Sequence, residues 1–173
     1  ASIVQATDYS IFLVEPNSNK WWSTLSDVLW TPSIATETVN DRIVSTPGNI
    51  TAACKLRSGI AMYKRKALHN GYFVGPPAFW DFRKVRDQVG VASQEAVANL
   101  GDIHYFPGPD DFYSFDGYSL NRMPNNLKEW FFTNLDQNFD FKIVSRWDQA
   151  LSLVFWHFPS IAASPAGTLD TWI

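Results

Sequence analysis

The chain has 173 residues, with 14 Lys and Arg against 17 Asp and Glu, and a formal net charge of −3. Without a basic excess it lacks the electrostatic footprint that direct polyanion binding needs, and its single cysteine, Cys54, excludes an internal disulfide. One domain suffices at this length to bury a core, and with 16% aromatic residues, including 8 Trp, flat rings must fill either the interior or an interface.

Four runs in which β-branched residues lead through a polar turn into aromatics start at Ile11, Ile60, Ile103 and Leu151, 49, 43 and 48 residues apart. A period of roughly 40 to 50 residues with several strands per unit is the mark of propeller blades. The sequence therefore predicts one all-β domain over residues 1–173, made of propeller-like antiparallel blades with one packing helix. Residues 2–14 predict two strands around Thr7-Asp8-Tyr9, and Pro16-Asn17-Ser18-Asn19 ends them. From Trp21 to Thr46-Pro47-Gly48 the alternation is poor, which reads as a long loop with one turn of helix. Residues 50–56, 60–67 and 71–74 read as a meander with reversals at Ser58-Gly59 and His69-Asn70-Gly71, since Asn-Gly is the strongest short hairpin signal.

Residues 96–123 repeat that plan, with reversals at Pro107-Gly108-Pro109-Asp110 and Asp116-Gly117. A helix is expected at about 125–136, where Leu127, Trp130, Phe131 and Asn134 share a face and Pro124 stands near the first turn. Residues 142–147 and 151–158 should pair across Asp148-Gln149, and residues 168–173 begin a further strand. That strand stops in mid-pattern. An unpaired terminal strand exposes backbone donors and acceptors, so the expectation is an incomplete propeller or a last blade completed by a neighbour. No window approaches the roughly 18 consecutive apolar residues of a membrane span.

The segments Gly101-Asp102-Ile103-His104-Tyr105-Phe106 and Asp111-Phe112-Tyr113-Ser114-Phe115-Asp116-Gly117 resemble the propeller-type tail hub or nozzle proteins of short-tailed phages, also called packaged-DNA stabilisation proteins. Trp22-Ser23 with Asp27 and Trp30, the run from Tyr63 to Leu68, and the stretch from Val154 to Ser160 with Leu169-Asp170-Thr171-Trp172 agree with the same family. The resemblance implies a structural, non-enzymatic virion protein made in the host cytoplasm. It implies a homo-oligomeric ring below the portal and adaptor, which carries fibres or spikes and continues the channel through which packaged DNA passes. It implies no cofactor and no catalytic residue.

The residues themselves leave other readings open. Trp21, Trp22, Trp130 and Trp156 are the candidate interface anchors, because buried interface Trp residues dominate binding energies; the same rings in a carbohydrate- or receptor-binding propeller would stack on sugars. Lys64-Arg65-Lys66 is the one basic run. Read as a strand, it places Lys64 and Lys66 on one outward face, either as lysines guarding a sheet edge or as a contact to a channel or acidic partner. Asp110, Asp111 and Asp116 fit turn chemistry better than a cation loop. A glycoside hydrolase or depolymerase would need two facing carboxylates, such as Asp111 and Glu129, which no pattern in the sequence brings together. His69, His104 and His157 fall in three different units without ligand spacing.

Overall fold

The computed structural model describes residues 2–25 and 30–173. The chain is an all-β protein of four antiparallel meander sheets arranged as propeller blades. Blade 1 holds β1 (Ile3–Ala6), β2 (Ile11–Val14), β3 (Lys20–Thr24) and β4 (Val39–Arg42). Blade 2 holds β5 (Ile50–Leu56), β6 (Gly59–Lys64), β7 (Ala67–Gly75) and β8 (Phe79–Asp87). Blade 3 follows with β9 (Ala98–Asn99), β10 (His104–Pro107), β11 (Phe112–Phe115) and β12 (Leu120–Arg122), and blade 4 with β13 (Val144–Asp148), β14 (Leu153–Phe158) and β15 (Thr171–Trp172). The four repeat anchors mark one place in each blade: Ile11 opens β2, Ile60 lies at the start of β6, and Ile103 and Leu151 stand just before β10 and β14. The repeat in the sequence is thus the second strand of each blade.

Side chains alternate across each sheet, so every inner blade shows one apolar face forward and one backward. In β6, Ile60 and Met62 pack with Phe12, Val14 and Trp21 of blade 1, while Ala61 and Tyr63 pack with Phe106 and Phe115 of blade 3. A third core joins blade 3 to blade 4, where Phe112 meets Phe131 and Trp156, and Phe131 meets Phe158. Among the described residues no fourth core joins blade 4 back to blade 1.

Three elements differ from the sequence reading. The stretch after Trp21 is not a loop, because β3 and β4 complete blade 1 there. Its alternation is masked by adjacent tryptophans that point to opposite faces, Trp21 buried and Trp22 half-buried. Asp27 lies outside the described residues. Second, His69-Asn70-Gly71 is no reversal; it runs through the middle of β7, and the chain turns instead at Arg65-Lys66. Asn70 serves packing between blades, donating from Nδ2 to the Gly117 carbonyl at 2.9 Å, and a Cβ at Gly71 would stand 2.5 Å from the Phe82 ring. Third, β8 extends the meander beyond residue 74. Its Asp81, Arg83, Lys84, Arg86 and Asp87 conceal it as a strand because it lies at the outer edge of its sheet.

The helix is present but shorter than expected, α1 (Lys128–Asn134). Asn125 Oδ1 accepts from the backbone N–H groups of Leu127 and Lys128 and starts it. Phe131 alone is buried in this helix, against Phe112 and Phe158 at 4.9 and 4.8 Å between ring centroids. None of the described helices is long and apolar enough to cross a membrane.

Candidate functional surfaces

The six residues singled out from the sequence separate into core and surface. Trp21 is 2% exposed and packs on Phe12 and Phe82; Trp156 is buried and donates from Nε1 to the Ala96 carbonyl at 3.0 Å. Both are core residues of this chain, so neither is available as an interface anchor. Lys64 is a further correction. Its strand lies second in the order β5-β6-β7-β8, not at an edge, and the side chain is 1% exposed. Nζ donates to the carbonyls of Ile43 and Thr46, both at 2.7 Å, and so ties the connection between blades 1 and 2 to the sheet. Burial holds this ammonium below the ordinary lysine range. Lys66 is exposed in the turn between β6 and β7 and does not share a strand face with Lys64. Trp22 and Trp130 remain at the surface, Trp130 beside Phe158 and Trp22 under the Lys20 ammonium at 4.4 Å.

The buried polar residues mostly join blades. His104 Nε2 lies 2.9 Å from the Lys55 carbonyl, which can only accept, so this nitrogen carries the proton and Nδ1 accepts from the Tyr63 hydroxyl at 2.8 Å. Burial pushes His104 down to about 4. His69 is also pushed down to about 4, by burial and then by the Lys64 ammonium. Gln94 copies a strand partner for Ala53, accepting from its N–H at 2.8 Å and donating to its carbonyl at 3.1 Å. Burial pushes the Cys54 thiol up to about 12, which leaves it protonated and unreactive.

The carboxylates of the β10–β12 region are engaged locally. Asp110 accepts from the Tyr113 hydroxyl and pairs with Arg122. Asp111 is pushed up by burial but held below the usual carboxylate range by Lys128, the Phe112 N–H and Asn125. Asp116 caps its turn by accepting from the N–H groups of Tyr118 and Ser119. These are turn and helix-start contacts, as the sequence suggests for clustered aspartates.

Two kinds of surface are left for function. The first is a cleft of about 960 Å³ where the inner strands of blades 1 and 2 begin, bordered by Asn17, Asn49, Arg65, Lys66, Gln94 and Phe141. Amides, hydroxyls and cations supply its polarity, and among the described residues no carboxylate borders it. Arg65 is paired with Asp140, whereas Lys66 has no ion pair among the described residues. The second is the pair of outward sheet faces at the two ends of the blade series. On blade 1, Val4 stands opposite Leu13 and Leu13 opposite Trp22, so Val4, Leu13 and Trp22 form one row across three strands. On blade 4, Leu153 and Phe155 of β14 share a face with Trp172, whose ring meets Phe155 edge-on at 5.5 Å. Val4 is 65% exposed, Leu153 47% and Trp172 60%. Sequence reasoning missed these faces because alternation identifies two faces per strand but does not say which one lacks a neighbour.

Compared with family models and with curated proteins, the chain matches none.

Proposed function

We propose that this protein is a structural, non-enzymatic subunit of a phage tail, the hub or nozzle below the portal and adaptor, acting as part of a homo-oligomeric ring that continues the DNA channel. The observation that carries the reading is the exposure of large apolar side chains on outward sheet faces, Val4 on blade 1 and Leu153 and Trp172 on blade 4. Exposed contiguous apolar surface marks assembly sites, and a component built to assemble needs such faces where a free-standing catalyst does not. The resemblance of the segments at Gly101–Phe106 and Asp111–Gly117 to the tail hub family supplies the virion setting. Both segments lie in blade 3 and supply core rings, Phe106, Phe112 and Phe115, rather than a site. A hydrolase gains no support from the described carboxylates, since Asp111 is committed to Lys128 and none of them borders the cleft. Imaging of assembled particles labelled on this chain tests the reading: density at the tail below the portal is expected, and a place on the capsid shell or absence from the particle overturns it.

One feature favours a second reading, a carbohydrate- or receptor-binding module. Phe141, 53% exposed, borders the cleft together with Asn17 and Asn49, an aromatic platform with amides of the kind that sugar-binding sites use. Glycan-array binding that is lost in Phe141→Ala would establish it, and an array without signal would remove it.

A further inference from the structure

We propose that the cleft where the inner strands of blades 1 and 2 begin binds an acidic saccharide, with Lys66 holding a sugar carboxylate and Phe141 stacking on a sugar ring. This rests on the reading of that cleft as a carbohydrate site and names the class of sugar that it takes.

The polar groups left uncommitted at the cleft decide the class. Gln94 is engaged with the Ala53 backbone at 2.8 and 3.1 Å, and Thr51 Oγ1 donates to the Val91 carbonyl at 2.9 Å. Arg65 pairs with Asp140. Among the described residues, no hydrogen bond or ion pair engages the side chains of Asn17, Asn49 and Lys66, and all three are exposed at the border of the cleft. An ammonium only donates, whereas an amide donates through its nitrogen and accepts through its oxygen. The uncommitted groups are therefore richer in donors than in acceptors, and none of the described carboxylates borders the cleft. A neutral sugar brings hydroxyls that need acceptors as well as donors, while an ionised carboxylate only accepts. Cations along the border with no described carboxylate among them favour an anion and work against a cation.

The Arg65–Asp140 ion pair positions these groups. Arg65 and Lys66 form the turn between β6 and β7, and Asp140 stands beside Phe141 in the helical segment Gln137–Lys142. The pair holds the segment that carries Phe141 against the turn that carries Lys66. It also neutralises Arg65, so that Lys66 is the cation of the border without an ion-pair partner among the described residues. Phe141, 53% exposed, offers its ring as the stacking platform. Asn49, Lys66 and Phe141 come from three separate connections in the interior of the sequence, so the site does not depend on either terminal segment. At about 960 Å³ the cleft lies near the top of the roughly 300 to 1,000 Å³ of small-ligand sites, room for more than one sugar ring.

The test presents uronic- and sialic-acid-bearing oligosaccharides on one array, each as the free acid and as its uncharged methyl ester, beside neutral oligosaccharides, and applies the full chain. Free acids bound in preference to their esters, with a signal that weakens as salt is raised, are expected. Calorimetric titration with the best free acid should show affinity at least about fivefold lower in Lys66→Met, and Phe141→Ala should abolish binding. Lys84→Met, on the outer strand of blade 2, should bind as the wild type does. Acids and esters bound equally, or neutral oligosaccharides bound alone, would overturn the acidic class while leaving the carbohydrate reading intact. Equal losses in Lys66→Met and Lys84→Met would show general charge attraction and overturn the site. An array without signal in any form would overturn the acidic class and the carbohydrate reading together.

Discussion

At the scale of the residue, chemistry depends on which side of the sheet a group occupies. Lys64 looks like a surface cation in the run Lys64-Arg65-Lys66, yet its ammonium satisfies two buried carbonyls. Lys64→Met removes both donors and should lower the unfolding free energy by at least about 1 to 3 kcal/mol in urea titrations, whereas Lys66→Met in the exposed turn should stay within about 0.5 kcal/mol. Equal effects would refute this assignment. His104 makes a pH-dependent contribution. Its folded value of about 4 lies below the ordinary 6.5, so between those values the unfolded chain binds a proton that the folded chain does not. Stability is therefore complete at pH 7 and falls as the pH drops from 6.5 towards 4, by on the order of 3 kcal/mol for this group. Urea midpoints at pH 7 and pH 5 should differ in that direction, and His104→Gln should reduce the difference without abolishing it, since His69 is depressed over the same range. A wild-type midpoint that does not move would exclude a neutral buried imidazole.

At the scale of the element, close approach rather than turn propensity explains several glycines. Gly90, in the connection from β8 to β9, sits where a Cβ would stand 1.9 Å from the Lys64 carbonyl oxygen, while the neighbouring Val91 N–H donates to that same oxygen at 3.1 Å. The crossing holds the end of blade 2 against the path to blade 3, and backbone cannot yield as a flexible side chain can. Gly90→Ala should destabilise by about 1 to 3 kcal/mol or more, measurable as a lowered thermal midpoint. An Ala variant of wild-type stability would show that the connection moves freely. Asn70-Gly71 teaches the same lesson from the opposite side: a dipeptide that usually makes a hairpin is held straight in β7, with eight residues of β7 paired to β8 across it. Pairing and packing outweigh the turn preference, because both neighbouring strands pair with β7 across Asn70 and Gly71 and a reversal would leave Asn70 without its bond to Gly117.

At the scale of the whole molecule, the tryptophans divide by their place in the blade series. Trp21→Ala and Trp156→Ala should each cost about 3 to 5 kcal/mol as buried large-to-small changes and impair folding of the isolated chain. Trp22→Ala and Trp130→Ala should leave the fold intact and act on association instead. Circular dichroism with sedimentation separates the two outcomes, and a folded, unassociated Trp156→Ala protein would return that residue to the surface.

The blade repeat was legible because each unit restarts with the same pattern at its second strand, and a period of this length follows from the covalent length of a meander. The hairpins at Asp116-Gly117 and Asp148-Gln149 and the helix before blade 4 follow from local periodicity and turn chemistry in the same way, whereas the number of blades did not. The outer strand β8 was hidden by its charges and β3 by its paired tryptophans, since solvent on one side or rings on both erase the alternation that reveals a strand. The inward turn of Lys64 and the separation of Trp21 from Trp22 depend on which blade stands opposite each face. By itself the sequence determined the kind of unit and its repetition, because those are set by neighbours along the chain. Only the tertiary structure decided which faces are covered and which stay open, because burial is a relation between blades distant in the chain.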